Sequence, residues 1–109
     1  MTAPSWERTS PLPEPPLESF SLVALADGRA WVAGGAAFRQ TPQGGWESVA
    51  LGETYLREAG QGSWSTGPPL CRPRTCHGAC ELADGRVLVV GGRGSYYEEL
   101  ASAELYDPA

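Results

Sequence analysis

One unit is written twice in this chain. The segment LADGRAWVAGG (25–35) returns as LADGRVLVVGG (82–92), 57 positions later. Ahead of each copy lies an apolar-rich stretch, FSLVA and CHGACE. Further upstream each has a Trp-to-proline segment, WERTSPLPEPP from Trp6 and WSTGPPLCRP from Trp64, offset by 58. So many anchors in one order point to a repeated supersecondary unit, and self-similarity of this kind constrains the fold more than any local propensity does.

Each anchor has a physical task. Asp27-Gly28 and Asp84-Gly85 are hairpin dipeptides, expected in two-residue type I′ turns. RAWVA and RVLVV are short, apolar and rich in β-branched residues, as expected of strands buried on both faces. The pairs Gly34-Gly35 and Gly91-Gly92 end those strands where the backbone bends tightly or another backbone approaches. In ASAELYDP (101–108), Ser102, Glu104 and Tyr106 alternate with Ala103 and Leu105, and a proline closes the run. Glycine (14) and proline (10) make up about a fifth of the residues and sit between the apolar runs, which suits many short strands.

A strand, a glycine turn and a helix around a dinucleotide phosphate would be the competing reading of 82–108. It needs G-x-G-x-x-G, but Tyr97 stands at the third glycine position after Gly92 and Gly94. Moreover, a two-residue turn joins only antiparallel neighbours and leaves no room for a crossover helix.

The second copy resembles a bacterial-type kelch repeat of the galactose-oxidase-like propellers. The residues that carry the resemblance are Pro73, Arg74, His77, Ala79, Leu82, Asp84-Gly85-Arg86, Gly91-Gly92 and the run from Ser102 through Tyr106 to Pro108. It is strong over 68–109, weaker over 20–35 and at Trp64, and loose over 36–60. The surplus AAFRQTPQGGWESVALGETYLREAGQ is either a long loop or an extra hairpin carrying Phe38 and Trp46.

The resemblance implies an all-β fold of two four-stranded antiparallel kelch-type propeller blades. Residues 1–66 form the first blade, with a long irregular region between its second and third strands. Residues 67–109 form a second repeat lacking its final Trp strand. Strands are expected near Trp6, over 21–25, 29–33 and 54–58, at Trp64, and over 75–82, 86–90 and 101–106. Trp6, Trp31 and Trp64 are expected to pack between blades. Two blades do not close a propeller, and each would bare an apolar face. The chain is therefore expected either to belong to a longer one or to self-associate, three copies giving six blades and four giving eight.

Chemistry-bearing residues are few. Cys71, Cys76, His77 and Cys80 fall within ten positions, but C-x₄-C-H-x₂-C lacks the knuckle spacing of zinc sites, and no metal is expected. The cysteines are expected to be small buried hydrophobes in a reducing compartment. His77 is, by the resemblance, a packing residue of the inner strand. Asp27, Asp84 and Asp107 are accounted for by turns, Glu98-Glu99 is a solvated pair, and no nucleophile motif is present. No catalytic residue and no cofactor is assigned.

Candidate binding residues come from loop placement. Alternate connections of an antiparallel blade emerge at one end, so Arg39 and Trp46, Arg72 of the link between repeats, and Arg93, Tyr96 and Tyr97 should share a rim. Arg and aromatic side chains are common anchors of binding surfaces. The net charge of −5 and the absence of a basic patch argue against nucleic acid. No stretch has the length of a membrane span, and the first residues do not form a signal peptide, so a cytoplasmic location is the default expectation for a chain that is not a fragment. The expected function is a non-catalytic interaction module whose partner is another copy of itself or another protein. The alternative is part of a propeller enzyme of galactose-oxidase or sugar-mutarotase type, with its catalytic residues elsewhere.

Overall fold

A computed structural model describes residues 4–6, 8, 11–12, 19–60, 62–95 and 98–108. Nine strands run through them: β1 (Ser21–Ala24), β2 (Ala30–Ala33), β3 (Ala36–Gln40), β4 (Trp46–Ala50), β5 (Thr54–Arg57), β6 (Ser65–Thr66), β7 (Gly78–Glu81), β8 (Val87–Val90) and β9 (Ala103–Tyr106). Every pairing between them is antiparallel. They form a four-stranded sheet in the order β1-β2-β5-β6, a three-stranded sheet β7-β8-β9, and the hairpin β3-β4. Among the described residues no helix is long and apolar enough to cross a membrane.

The repeat is visible as equivalent pairings. Ala33 pairs with Ser21 and Thr54, and Val90, 57 positions on, pairs with Gly78 and Ala103. Both Asp-Gly turns are built alike, but not as two-residue I′ turns. Gly28 and Gly85 have φ of +94° and +88°, while neither Asp27 nor Asp84 has a positive φ. The Gly28 amide donates to the Leu25 carbonyl, and the Leu25 amide to the Arg29 carbonyl. This is a longer loop, with the left-handed position confined to glycine. Each aspartate instead closes its turn from outside, accepting from the following arginine's amide at 3.1 Å and from its Nε at 2.8 Å.

Period-two register sorts each strand onto two faces. Val23, Trp31 and Leu56 share one face of the first sheet; Ala79, Val89, Val87 and Tyr106 lie on one face of the second. These faces pack together into one core in which Trp31 is 1% exposed and Val87 is fully buried. The first strands of the two sheets, β1 and β7, lie side by side. At the rim of this contact Arg29 donates to the Pro108 carbonyl (2.9 Å) and the Ala26 amide donates to Glu81 (3.0 Å).

The reverse face of the second sheet is open. Leu88 pairs with Cys80 and Leu105 there, and Val90 with Ala103; Leu105 is 48% and Val90 44% exposed. β8 was expected to be buried on both faces, but it is covered on one only. β2, with Trp31 and Val32 both buried, meets the expectation.

The strand expected at Trp64 is present, while the expectations for Trp6, for the cysteines and for the start of β7 are corrected. Residues 4–6 form no strand and Trp6 is fully exposed, so it does not pack between blades. Trp64 is half-buried beside β6, which pairs with β5 and closes the first sheet. All three cysteines are exposed rather than buried. Cys80 points to the open face, and Cys76 has φ +56°, which delays the strand expected from residue 75 until Gly78.

Candidate functional site

The segment Arg74–His77 passes between the two double-glycine turns and organises everything above it. A Cβ on Gly34 would collide with the Arg74 carbonyl and lie 2.7 Å from His77 Cε1. One on Gly92 would lie 2.5 Å from the Thr75 carbonyl oxygen and 2.8 Å from His77 Cβ. The first glycine of one pair and the second of the other thus flank the same threaded segment. The expected tight approach is real at Gly34 and Gly92; at Gly91 the nearest atom is at 3.5 Å, and its φ of +69° is the reason for glycine there. The Gly35 amide donates to the Arg74 carbonyl, and Thr75 and Arg93 exchange both backbone bonds at 2.8 Å.

Arg74 is fully buried and holds the second repeat together. Its guanidinium donates to the carbonyls of Gly91 (3.0 Å) and Ser102 (2.8 Å), to Ser102 Oγ (3.1 Å) and to Glu104 (2.9 Å). Glu104 also accepts from the amides of Cys71 and Arg72. Burial pushes the Glu104 carboxyl up, but those two amides, with help from Cys71 and Arg74, outweigh it and hold it below the usual value. The Cys71 thiol is pushed up by its hydrogen bond to Glu104. His77 is held below its ordinary value by burial and by the Arg74 charge.

His77 Nε2 lies 2.8 Å from Ser21 Oγ, the spacing of a nucleophile and its base. The rest of that arrangement is missing among the described residues. His77 Nδ1 is buried without a hydrogen-bond partner, and neither residue lines the main cavity. The contact ties β1 to the threaded segment. No group of three His, Cys, Asp or Glu among the described residues is placed to hold a metal ion.

The loose region 36–60 resolves as the hairpin of the two alternatives. β3 and β4 pair Ala36 with Ala50, Phe38 with Ser48 and Gln40 with Trp46, so these side chains share one face. Thr41 closes the tip by exchanging backbone bonds with Gly44 and Gly45. The base is anchored through Leu51 N to the Gly35 carbonyl (2.9 Å) and Ala50 N to Ser95 Oγ (3.2 Å).

Between this hairpin face and the second repeat lies a cavity of about 380 Å³. Phe38 and Trp46, 58% and 69% exposed, form one wall; Ser19, Thr75, Cys76 and Arg93 face them. Of the rim residues, the structure brings Trp46 and Arg93 to this cavity. Arg39 reaches it indirectly, paired with Glu47 at 2.7 Å. Arg72 does not line it; its guanidinium pairs with Glu98 at 2.7 Å. Tyr96 and Tyr97 lie outside the described residues. Among the described residues Arg93 has no ion-pair partner, which leaves a cation beside two exposed aromatic rings. Phe38, Thr75 and Cys76 were not among the expected site residues; the extra-hairpin alternative, which carried Phe38 together with Trp46, was the signal for Phe38.

No protein-family model matches the chain. It is 29% identical over 104 residues to the F-box/kelch-repeat protein SKIP4 of Arabidopsis thaliana, a match covering 95% of this chain and 27% of the relative. It is 35% identical over 98 residues to the F-box/kelch-repeat protein At1g67480 of the same plant, covering 90% of this chain and 24% of that protein. The solved structure of YjhT superposes on 93% of this chain with a TM-score of 0.75 at 17% identity, using 31% of its own length. The chain thus spans about a quarter of the curated relatives it matches and under a third of the solved one.

Proposed function

The chain belongs to the kelch-repeat β-propeller family, and on that premise we propose that it is a non-catalytic interaction module that binds through the cavity between its β3-β4 hairpin and the second repeat. Residues 1–66 and 67–109 act as successive repeats of one propeller, and the open face of β7-β8-β9 is covered by a further blade, from another copy or from a longer chain. The observation that carries the reading is the cavity wall: Phe38 and Trp46 from one strand pair, opposed by Arg93. Its volume sits at the small end of the roughly 300–1,000 Å³ range of ligand pockets, enough for an apolar side chain with a neighbouring anionic group. The base of the hairpin is fixed by backbone bonds, so the aromatic wall is preorganised and loses little entropy on binding.

Selection of peptides from a random display library against the folded chain tests this. The selected peptides should lose about thirtyfold in affinity, roughly the 2 kcal/mol of an interface anchor, when Trp46 or Arg93 becomes alanine. Equal binding to wild type and to both variants would overturn the reading.

A further inference from the structure

Two non-glycine residues among those described have a positive φ, Ser19 at +54° and Cys76 at +56°. They occupy the same position in the two repeats: the offset is again 57, and each stands two places before the first strand of its sheet, β1 or β7. They also meet. The Cys76 amide and the Thr75 hydroxyl both donate to the Ser19 carbonyl, at 3.1 and 3.3 Å. Ser19, Thr75 and Cys76 belong to the cavity wall that faces Phe38 and Trp46. A side chain with a Cβ is strained in the left-handed region, and such strain persists only where the surroundings hold it in place.

His77 is next in the chain after Cys76, and it closes the same seam: its Nε2 lies 2.8 Å from Ser21 Oγ. The ring sits against the Gly34 turn, where a Cβ would lie 2.7 Å from Cε1, and its own Cβ sits against the Gly92 turn. Nδ1 is buried and has no hydrogen-bond partner. A neutral imidazole can leave that nitrogen as a bare acceptor. An imidazolium carries a proton on both nitrogens and would bury an N–H with nothing to receive it. The glycine turns and β1 bring no titratable side chain to the ring. Burial and the guanidinium of Arg74 oppose a charge on it, the Ala33 backbone and Glu104 of β9 favour one, and the opposition prevails.

We propose that His77 is a proton-operated catch on the cavity: the neutral ring, held to Ser21, keeps Ser19 and Cys76 in their left-handed conformations and the wall in its binding shape. A proton drives the ring out of the slot between the glycine turns, both strained residues relax, and the wall opposite Trp46 is lost. Thr75 exchanges both backbone bonds with Arg93, so the cation of the site moves with the wall. This names a regulation of the binding site described above, and it rests on the cavity being that site. A catch of this kind releases in acid. The binding shape holds the His77 proton less tightly than a free ring does, so affinity is complete above the ordinary imidazole value of 6.5 and weakens as pH falls below it.

His77 is the one histidine of the chain, so its ring gives a single set of signals in a proton NMR titration. With no ligand added, the amide signals of Ser19, Thr75, Cys76 and Arg93 should move between pH 7 and pH 5 with the midpoint of that ring. Those of Gly28 and Gly85, in the Asp-Gly turns, should stay in place. Glu104, held below 4.5, stays ionised over this range. Calorimetry with the peptides selected from the display library then reads binding. Wild-type affinity should fall at least about fivefold from pH 7 to pH 5, the low end of a two-state coupling, and His77→Gln, with its neutral amide, should bind equally at both. Wall amides that ignore the ring titration would overturn the catch, whether or not a peptide is found. An equal fall in His77→Gln would overturn it too, because the proton would then act elsewhere. Coupled movement of the wall in a chain that yields no peptide sensitive to Trp46 would support the catch and overturn the cavity as the binding site.

Discussion

The indole of Trp31 and the phenol ring of Tyr106 stack with centroids 5.6 Å apart and planes 17° from parallel. Trp31 comes from the second strand of the first sheet and Tyr106 from the last strand of the second, so this one contact joins the two repeats. Trp31→Ala should cost about 3–5 kcal/mol, the usual loss for a buried aromatic. In a double-mutant cycle by urea unfolding, Trp31→Leu and Tyr106→Leu should couple by about 0.5–1.5 kcal/mol. Strict additivity would show that the rings do not meet.

Arg74 is the only charged residue with no exposure among the described residues, and Glu104 is its partner. Removing one member of a buried pair leaves the other uncompensated, so Arg74→Ala should destabilise by about 3–5 kcal/mol in denaturant melts. Arg74→Lys should recover only part of this, since one ammonium cannot replace two terminal nitrogens, Nη1 on the Gly91 and Ser102 carbonyls and Nη2 on Ser102 Oγ and Glu104. The double variant Arg74→Ala with Glu104→Ala should lose less than the sum of the two single changes.

Acid should weaken the fold in two stages. His77 binds its proton less tightly folded than unfolded, so its contribution is complete above the ordinary imidazole value of 6.5 and is lost as pH falls below it toward the folded value. Glu104 is likewise held below the usual 4.5, and its contribution disappears as pH falls from there through the folded value. Melting temperature against pH should therefore begin to decline below about 6.5, and His77→Gln should flatten that first decline only. A wild-type curve flat from pH 7 to 5 would contradict the His77 assignment.

The two-fold pattern of the chain was legible because its anchors are local: Asp-Gly, a four-residue apolar run and Gly-Gly each announce a turn or a strand without reference to distant residues. The sites of failure share a different cause. Whether β8 is covered on its second face depends on a neighbouring blade, so Val90 and Cys80 look like core residues and yet are exposed. Residues 36–50 alternate only weakly, with Ala37 and Val49 on the face opposite Phe38, so a loop and a hairpin were equally compatible with them. The cavity itself joins residues far apart in the sequence, 36–50 with 75–76 and 93–94, and only the threading of Arg74–His77 under both glycine turns brings them together.

That threading makes a sharp prediction about glycine. Gly92 and Gly60 both have positive φ, +89° and +76°, so alanine is strained at either by about 1–2 kcal/mol. At Gly60 a Cβ meets nothing within 4 Å, whereas at Gly92 it meets the Thr75 carbonyl oxygen at 2.5 Å. Gly92→Ala and Gly34→Ala should each cost at least about 2 kcal/mol more than Gly60→Ala in equilibrium unfolding, the added cost of overpacking against backbone.

The central claim is that one antiparallel meander occurs twice and that the two copies pack face to face as neighbouring blades. Nuclear Overhauser contacts in solution test it most directly. The account predicts cross-strand contacts linking Trp31 with Leu56 and Leu88 with Leu105, together with contacts from the Trp31 indole to the Tyr106 ring and to Val89. Cross-strand contacts of a parallel pairing between 29–33 and 86–90, or a Trp31 indole that reports no contact with the second repeat, would contradict it.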